Sequence, residues 1–160
     1  MILYHGSNVD VREPKILVTN RMLDFGPGFY TTSSVEQASR WAELQTRRRR
    51  TGIPTVSMYE YDEDAIRKLS LLCFQKAEHD WLNYVTQNRK GIYIGPKYDV
   101  VIGPVANDNT MTVISDYMAG SINEDTAIIL LLPQKLADQY AFLTAKGLSA
   151  LKYMGVRSHE

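Results

Sequence analysis

Phe25-Gly26-Pro27-Gly28-Phe29-Tyr30-Thr31-Thr32 is the stretch on which the reading of this chain turns. Two glycines around a proline break any preceding element, and an aromatic, β-branched run follows, the pattern of a short strand entered from a tight turn. Upstream, Ile2-Leu3-Tyr4 reads as a strand delivering His5-Gly6-Ser7 to a turn, with a loop running from there to Phe25. Downstream, Ser33 or Ser34 caps a helix over Val35 to Arg50, which has Val35, Ala38, Trp41, Ala42 and Leu44 or Gln45 on one broad face. Gly52 and Pro54 end it.

The remaining pattern predicts an alternating strand over Thr55 to Tyr61, with Val56, Met58 or their neighbours facing inward. A short helix follows from Asp64 to about Leu72, and an amphipathic helix from about Lys76 to Arg89 carries Ala77, Trp81, Tyr84 and Val85. Tyr98 to Gly103 reads as a buried strand, Ala106 to Asn109 as a loop, and residues 110 to 132 as two helices. Asp138 to Thr144 alternates as a strand, and Ala145 to about Leu151 reads as a last helix or turn. Strands separated by unequal helices predict an α+β domain with non-local pairing.

The totals narrow the class. With 160 residues and 44% hydrophobic content, one domain over residues 1–160 is expected. Eighteen basic and eighteen acidic residues give no net charge, so attraction to nucleic acid or membrane must be local. The single cysteine, Cys73, gives no intramolecular disulfide and fits a reducing compartment. The opening residues lack the pattern of a secretory signal, and the apolar run from Ala127 to Leu132 is too short to span a bilayer. A cytoplasmic protein without membrane contact is expected.

Two constellations can carry chemistry. His5-Gly6-Ser7 combines an imidazole, a backbone open to close approach and a hydroxyl; it is either a ligand site or a capped turn. Tyr30 and Trp41, eleven residues apart, either sandwich a flat ring or pack in the core. Arg47-Arg48-Arg49-Arg50 either complements the helix dipole or forms a patch for an anionic ligand. Asp99 and Asp108 line a pocket rim or terminate their elements. His79 and His159 have no ligand-spaced partners for a metal, and no P-loop, Rossmann fingerprint or nucleophile elbow is present.

Taken in order, His5-Gly6-Ser7, Phe25 to Tyr30, Trp41 and the strand with Met58-Tyr59-Glu60 resemble the ADP-ribosyltransferase superfamily. The likeness is to its diphtheria-toxin-like and poly(ADP-ribose) polymerase-like branch, which carries a His-Tyr-Glu triad. The chain also resembles a small bacterial family on that fold, some members of which are encoded beside antitoxin-like partners. The resemblance implies a split β-sandwich core with helices inserted between strands, and NAD as substrate. It implies a triad of His5, Tyr30 and Gln139, with Gly6, Ser7, Phe25, Gly26 and Trp41 around the NAD. In that scheme Gly6 backbone groups grip the nicotinamide amide, Tyr30 and Trp41 stack on its ring, and His5 and Ser7 contact ribose hydroxyls.

Gln139 stands where the family's pattern has glutamate, and a one-residue slip that offered Asp138 instead would point it to the opposite face. The implied activity is transfer of one ADP-ribose to a macromolecule, protein or nucleic acid, as a bacterial toxin with an antitoxin protein as partner. An NAD glycohydrolase or a silent NAD-binding module are the alternatives. A glutamine keeps the hydrogen bond to the 2′-hydroxyl but loses the charge, an electrostatic contact typically worth about 3 kcal/mol in a transition state. The resemblance taken alone therefore implies that Gln139→Glu raises turnover, measured as nicotinamide released from NAD.

Overall fold

Tyr4 exchanges two backbone hydrogen bonds with Thr32, N to O at 2.8 Å and O to N at 2.9 Å, and through this bridge two separate sheets meet. The computed structural model describes residues 1–16 and 23–157. Residues 17–22 of the expected long loop, and His159, lie outside the described residues.

The chain runs through β1 (Ile2–Ser7), β2 (Phe29–Thr31), α1 (Val35–Arg49), β3 (Thr55–Tyr61), α2 (Glu63–Ile66), β4 (Leu71–Cys73) and α3 (His79–Arg89). It continues through β5 (Val100–Pro104), α4 (Asp108–Met118), α5 (Glu124–Leu131), β6 (Asp138–Phe142), α6 (Ala145–Leu148) and β7 (Leu151–Val156). One sheet has the order β1-β3-β7 and the other β2-β6-β5-β4. All pairings are antiparallel except β4 with β5. The architecture is therefore α+β, with two sheets and six helices among the described residues.

Four layers follow from side-chain parity. Leu3, Tyr59 and Tyr61 of the first sheet pack on Phe29, Val100 and Phe142 of the second, forming the inter-sheet core. Each such fully buried side chain contributes roughly 2–3 kcal/mol. On the outer face of the first sheet, Tyr4 and Val56 meet Ala38 and Ala42 of α1. On the outer face of the second, Val101 and Ala141 meet Trp81, Val85, Ile114 and Leu131 from α3, α4 and α5. Among the described residues no helix is long and apolar enough to cross a membrane.

Several sequence expectations change. β1 does not stop at Tyr4 but continues through His5-Gly6-Ser7, because Ser7 still pairs with Thr55 of β3. β3 buries both faces, Val56 toward α1 and Tyr59 and Tyr61 toward the other sheet, while Met58 is half-buried. α1 starts as expected from Ser34, whose hydroxyl accepts the Gln37 N–H, but its buried seam is Gln37, Ala38 and Ala42, and Leu44 is exposed. The helix expected over 64 to 72 shrinks to α2, capped by Asp62, and Leu71-Leu72-Cys73 becomes β4 alongside β5. Such a short apolar run does not distinguish helix from strand by periodicity. β7 lies beyond the expected last helix or turn; it pairs with β3 and fits an extra residue, Met154, opposite the Met58/Tyr59 step.

Gly6 is where α1 comes closest to a strand. A Cβ built on Gly6 would lie 1.9 Å from the Ala38 carbonyl oxygen and 2.7 Å from the Ala42 nitrogen, both backbone atoms that cannot swing aside. Gly6→Ala is expected to cost about 3 kcal/mol, the upper end for an overpacked site, read as a lower urea midpoint.

Candidate functional site

Beyond the Tyr4–Thr32 bridge the two sheets part. An antiparallel strand turns alternate residues to alternate edges. Tyr4 faces β2, so Gly6 faces β2 as well; on the other strand, Thr32 faces β1, so Tyr30 does too. Val56, opposite Gly6 in β3, gives its carbonyl to Arg157 N–H at 2.9 Å on the far side, so Gly6 has no ladder bond there either. In a continuous sheet Gly6 and Tyr30 would exchange hydrogen bonds across the gap. Here the strands diverge, and among the described residues no backbone or side-chain group meets the Gly6 N–H or C=O.

The His5 imidazole occupies the fork. Its ring stacks on Phe29 at 4.2 Å between centroids, and Nδ1 lies 2.6 Å from the Tyr30 carbonyl oxygen. A carbonyl only accepts, so Nδ1 carries the proton and donates. Burial lowers the His5 pKa to about 4, against the opposing effect of the Tyr30 bond and with the Arg49 charge adding to the depression. The ring is neutral at pH 7, and its Nε2 keeps a lone pair.

Tyr30 and Gln139 stand on the other face of the second sheet. Tyr30 is opposite Ala141 of β6, and Gln139 is two residues along the same strand, so their side chains share the face that looks toward α3. The Tyr30 hydroxyl donates to the Gly26 carbonyl at 2.6 Å and accepts the Phe25 N–H at 3.0 Å. Gly26 has φ +88°, a left-handed conformation suited to glycine. Burial holds the Tyr30 hydroxyl well above its ordinary pKa, and the nearby Asp24 charge pushes in the same direction.

Gln139 is only 3% exposed, and its Nε2 donates to Asp24 Oδ2 at 2.9 Å and the Pro104 carbonyl at 3.3 Å. Asp24, itself buried, accepts from Arg89 of α3, with Nε at 2.7 Å and Nη2 also bonded to Oδ1. Sequence reasoning missed this buried ion pair. Asp24 stands beside the aromatic-glycine turn, which was a usable signal, but nothing local pointed to Arg89.

The other expected site residues divide. Trp41 is half-buried on α1 and belongs to none of the three apolar clusters among the described residues. Phe25 is fully buried in the outer core, offset from Tyr30 by 6.4 Å. Ser7 is buried, with its hydroxyl 3.3 Å from Asn8 Oδ1, which also accepts Arg49 Nη1 at 2.7 Å. Arg49 thus ties the end of α1 to the end of β1, while Arg47 and Arg48 are exposed in the helix's last turn. Asp138 accepts from Ser33 N–H at 2.8 Å and lies one position from Gln139 without any slip of register.

Asp99 accepts from Thr144 Oγ1 at 2.5 Å and Ser70 N–H at 2.9 Å, a structural role at a strand entry, and Asp108 lies in the first turn of α4. His79 pairs with Glu124 of α5 at 2.7 Å. Two surface clefts, of about 520 and 490 Å³, lie at Met1 with Glu60 to Asp64 and at Val9 to Lys15, and neither is lined by the fork.

The profile of a family described as protein of unknown function (DUF3990) matches residues 1–153. No curated protein and no solved structure matches the chain.

The depressed His5 pKa sets a pH dependence. Between about pH 6.5 and about 4 the unfolded chain takes up a proton that the folded chain refuses, so stability falls on acidification through that window. The urea midpoint is expected to drop from pH 6.5 to pH 4.5, and His5→Gln is expected to flatten that slope.

Proposed function

We propose that this chain, which belongs to the DUF3990 family, is an NAD-dependent mono-ADP-ribosyltransferase built on an ADP-ribosyltransferase-like split sandwich. The observation that carries the reading is the fork: a strand edge whose Gly6 N–H and C=O have no partner among the described residues, beside a neutral imidazole. A primary carboxamide such as that of nicotinamide needs one donor and one acceptor in a plane, which the Gly6 backbone offers. His5 Nε2 accepts a ribose hydroxyl, its ring held in place by the Tyr30 carbonyl and the Phe29 face. Trp41, left out of the core, offers an aromatic plane from α1, the helix that packs directly on Gly6.

NAD supplies a cationic glycosidic bond, which breaks with its electron pair passing to the nicotinamide ring while the acceptor's nucleophile bonds to the ribose carbon and loses its proton. The chain's contribution is to orient the leaving ring and the ribose. Gln139 and Tyr30 hold the second sheet's side of the site. Their neutrality, and the packing of Phe25 and Gly26 against Tyr30, support slow single transfer rather than polymer synthesis. A silent NAD-binding module is the second reading, favoured by the burial of Gln139.

Labelled NAD incubated with the protein and a cell lysate tests this. The expected result is label on a macromolecule together with free nicotinamide, and His5→Ala is expected to weaken NAD binding about tenfold, as loss of a hydrogen bond at an enclosed site does. A folded His5→Ala variant that binds NAD as tightly as the wild type would overturn the assignment.

A further inference from the structure

The buried group behind Gln139 fixes which way its amide points. Asp24 Oδ2 and the Pro104 oxygen can only accept, so the atoms facing them are the two amide hydrogens, and Oε1 points away. No described residue donates to Oε1, and the one sealed, unpartnered side-chain polar atom among the described residues is the Tyr61 hydroxyl. Gln139 Oε1 is therefore an acceptor without a donor among the described residues, on a buried side chain. Extending the β2–β6 register by one residue sets Gln139 beside Thr32, the residue that bridges to Tyr4 at the root of the fork.

We infer that Asp24 is the positioning residue of this site. It turns the Gln139 carboxamide so that oxygen, not nitrogen, is offered to a ribose hydroxyl, and it places behind that amide the negative charge that Gln139 lacks. The inference rests on the reading that the site takes NAD. Both carboxylate oxygens of Asp24 are engaged, Oδ1 by Arg89 from α3 and Oδ2 by Gln139 from β6. Tyr30 is the titratable group facing it from β2, with its hydroxyl tied to Phe25 and Gly26. The loop after β5 adds only the Ala106 N–H at 3.4 Å. The carboxylate thus has a fixed orientation, and the amide inherits it.

This reverses the consequence of a simple Gln139→Glu exchange. A carboxylate at position 139 would face the Asp24 carboxylate and the Pro104 carbonyl, acceptor against acceptor, and such a pair holds a shared proton until the pH is raised. The double variant Asp24→Asn/Gln139→Glu restores the bond with reversed polarity, since the new amide at position 24 can donate to the new carboxylate at position 139.

The test is NAD affinity by calorimetry across pH 5.5 to 8 for the wild type, both single variants and the double variant, each checked for cooperative unfolding. The wild type is expected to bind with little pH dependence. Gln139→Glu is expected to bind about tenfold more weakly at pH 8 than at pH 5.5, and the double variant to recover most of that loss and the flat profile, a coupling of the size found between touching residues. Should Asp24→Asn not fold alone, the comparison of Gln139→Glu with the double variant carries the test. If the wild type binds NAD but the double variant is no better than Gln139→Glu, the positioning role of Asp24 is overturned and the NAD reading stands. If the folded wild type does not bind NAD, both fall.

Discussion

The paired hydrogen bonds between Tyr4 and Thr32 join the two sheets at one residue of each strand, and everything distinctive about the site follows from the pairing going no further. Backbone groups that leave a ladder inside a protein need another partner, because an unpaired N–H or C=O removed from water costs about 1–3 kcal/mol. At this fork Tyr30 finds that partner in the His5 side chain, and Gly6 finds none among the described residues. A strand edge kept open where two strands could have paired is an arrangement suited to receiving a ligand's amide. Each sheet carries its own helix layer on its outer face, α1 on one side and α3 to α5 on the other.

Gly6 couples the fork to the fold. Its missing side chain allows Ala38 and Ala42 to rest directly on β1, where Gly6 is buried, and the same helix sends Arg49 to Asn8 just past the end of that strand. Gly6 is thus the packing contact that sets the position of α1. On the second sheet the roles are divided differently. Tyr30 and Gln139 are held from behind by the 24–26 turn, and Asp24 links Gln139 of β6 to Arg89 of α3. With Asp24 buried and Arg89 half-buried, the pair adds little net stability against an apolar replacement, while removing Arg89 alone would leave a buried carboxylate without its cation.

The elements legible in the sequence are those whose signals are local. Ser34 capping α1, the alternation of β3 and β6, and the glycine-proline break before β2 each need only a few neighbouring residues. β4 was hidden because Leu71 to Cys73 is too short to show a period and becomes a strand only by pairing with β5. β7 alternates half-buried and exposed residues from Leu151 to Val156, so its signal was present but lay beyond the last expected element. Around the site, His5, Gly6 and Tyr30 were readable as a motif. The contacts that define their chemistry were not, because Asp24 meets Arg89 across 65 residues of sequence and Gln139 across 115. A glutamine at position 139 reads from sequence as a weakened glutamate, whereas beside Asp24 it is an amide with a fixed orientation.

The fork itself is tested most directly by following backbone amide signals in a nitrogen-15 correlation spectrum while nicotinamide is added. If the unpaired Gly6 edge receives the carboxamide, the Gly6 amide will be among the largest movers, shifting in the direction of a newly formed hydrogen bond, with Tyr30 and Trp41 signals following at the same ligand concentration. A Gly6 amide that stays in place while nicotinamide perturbs other residues, or a spectrum that does not change, would contradict the account.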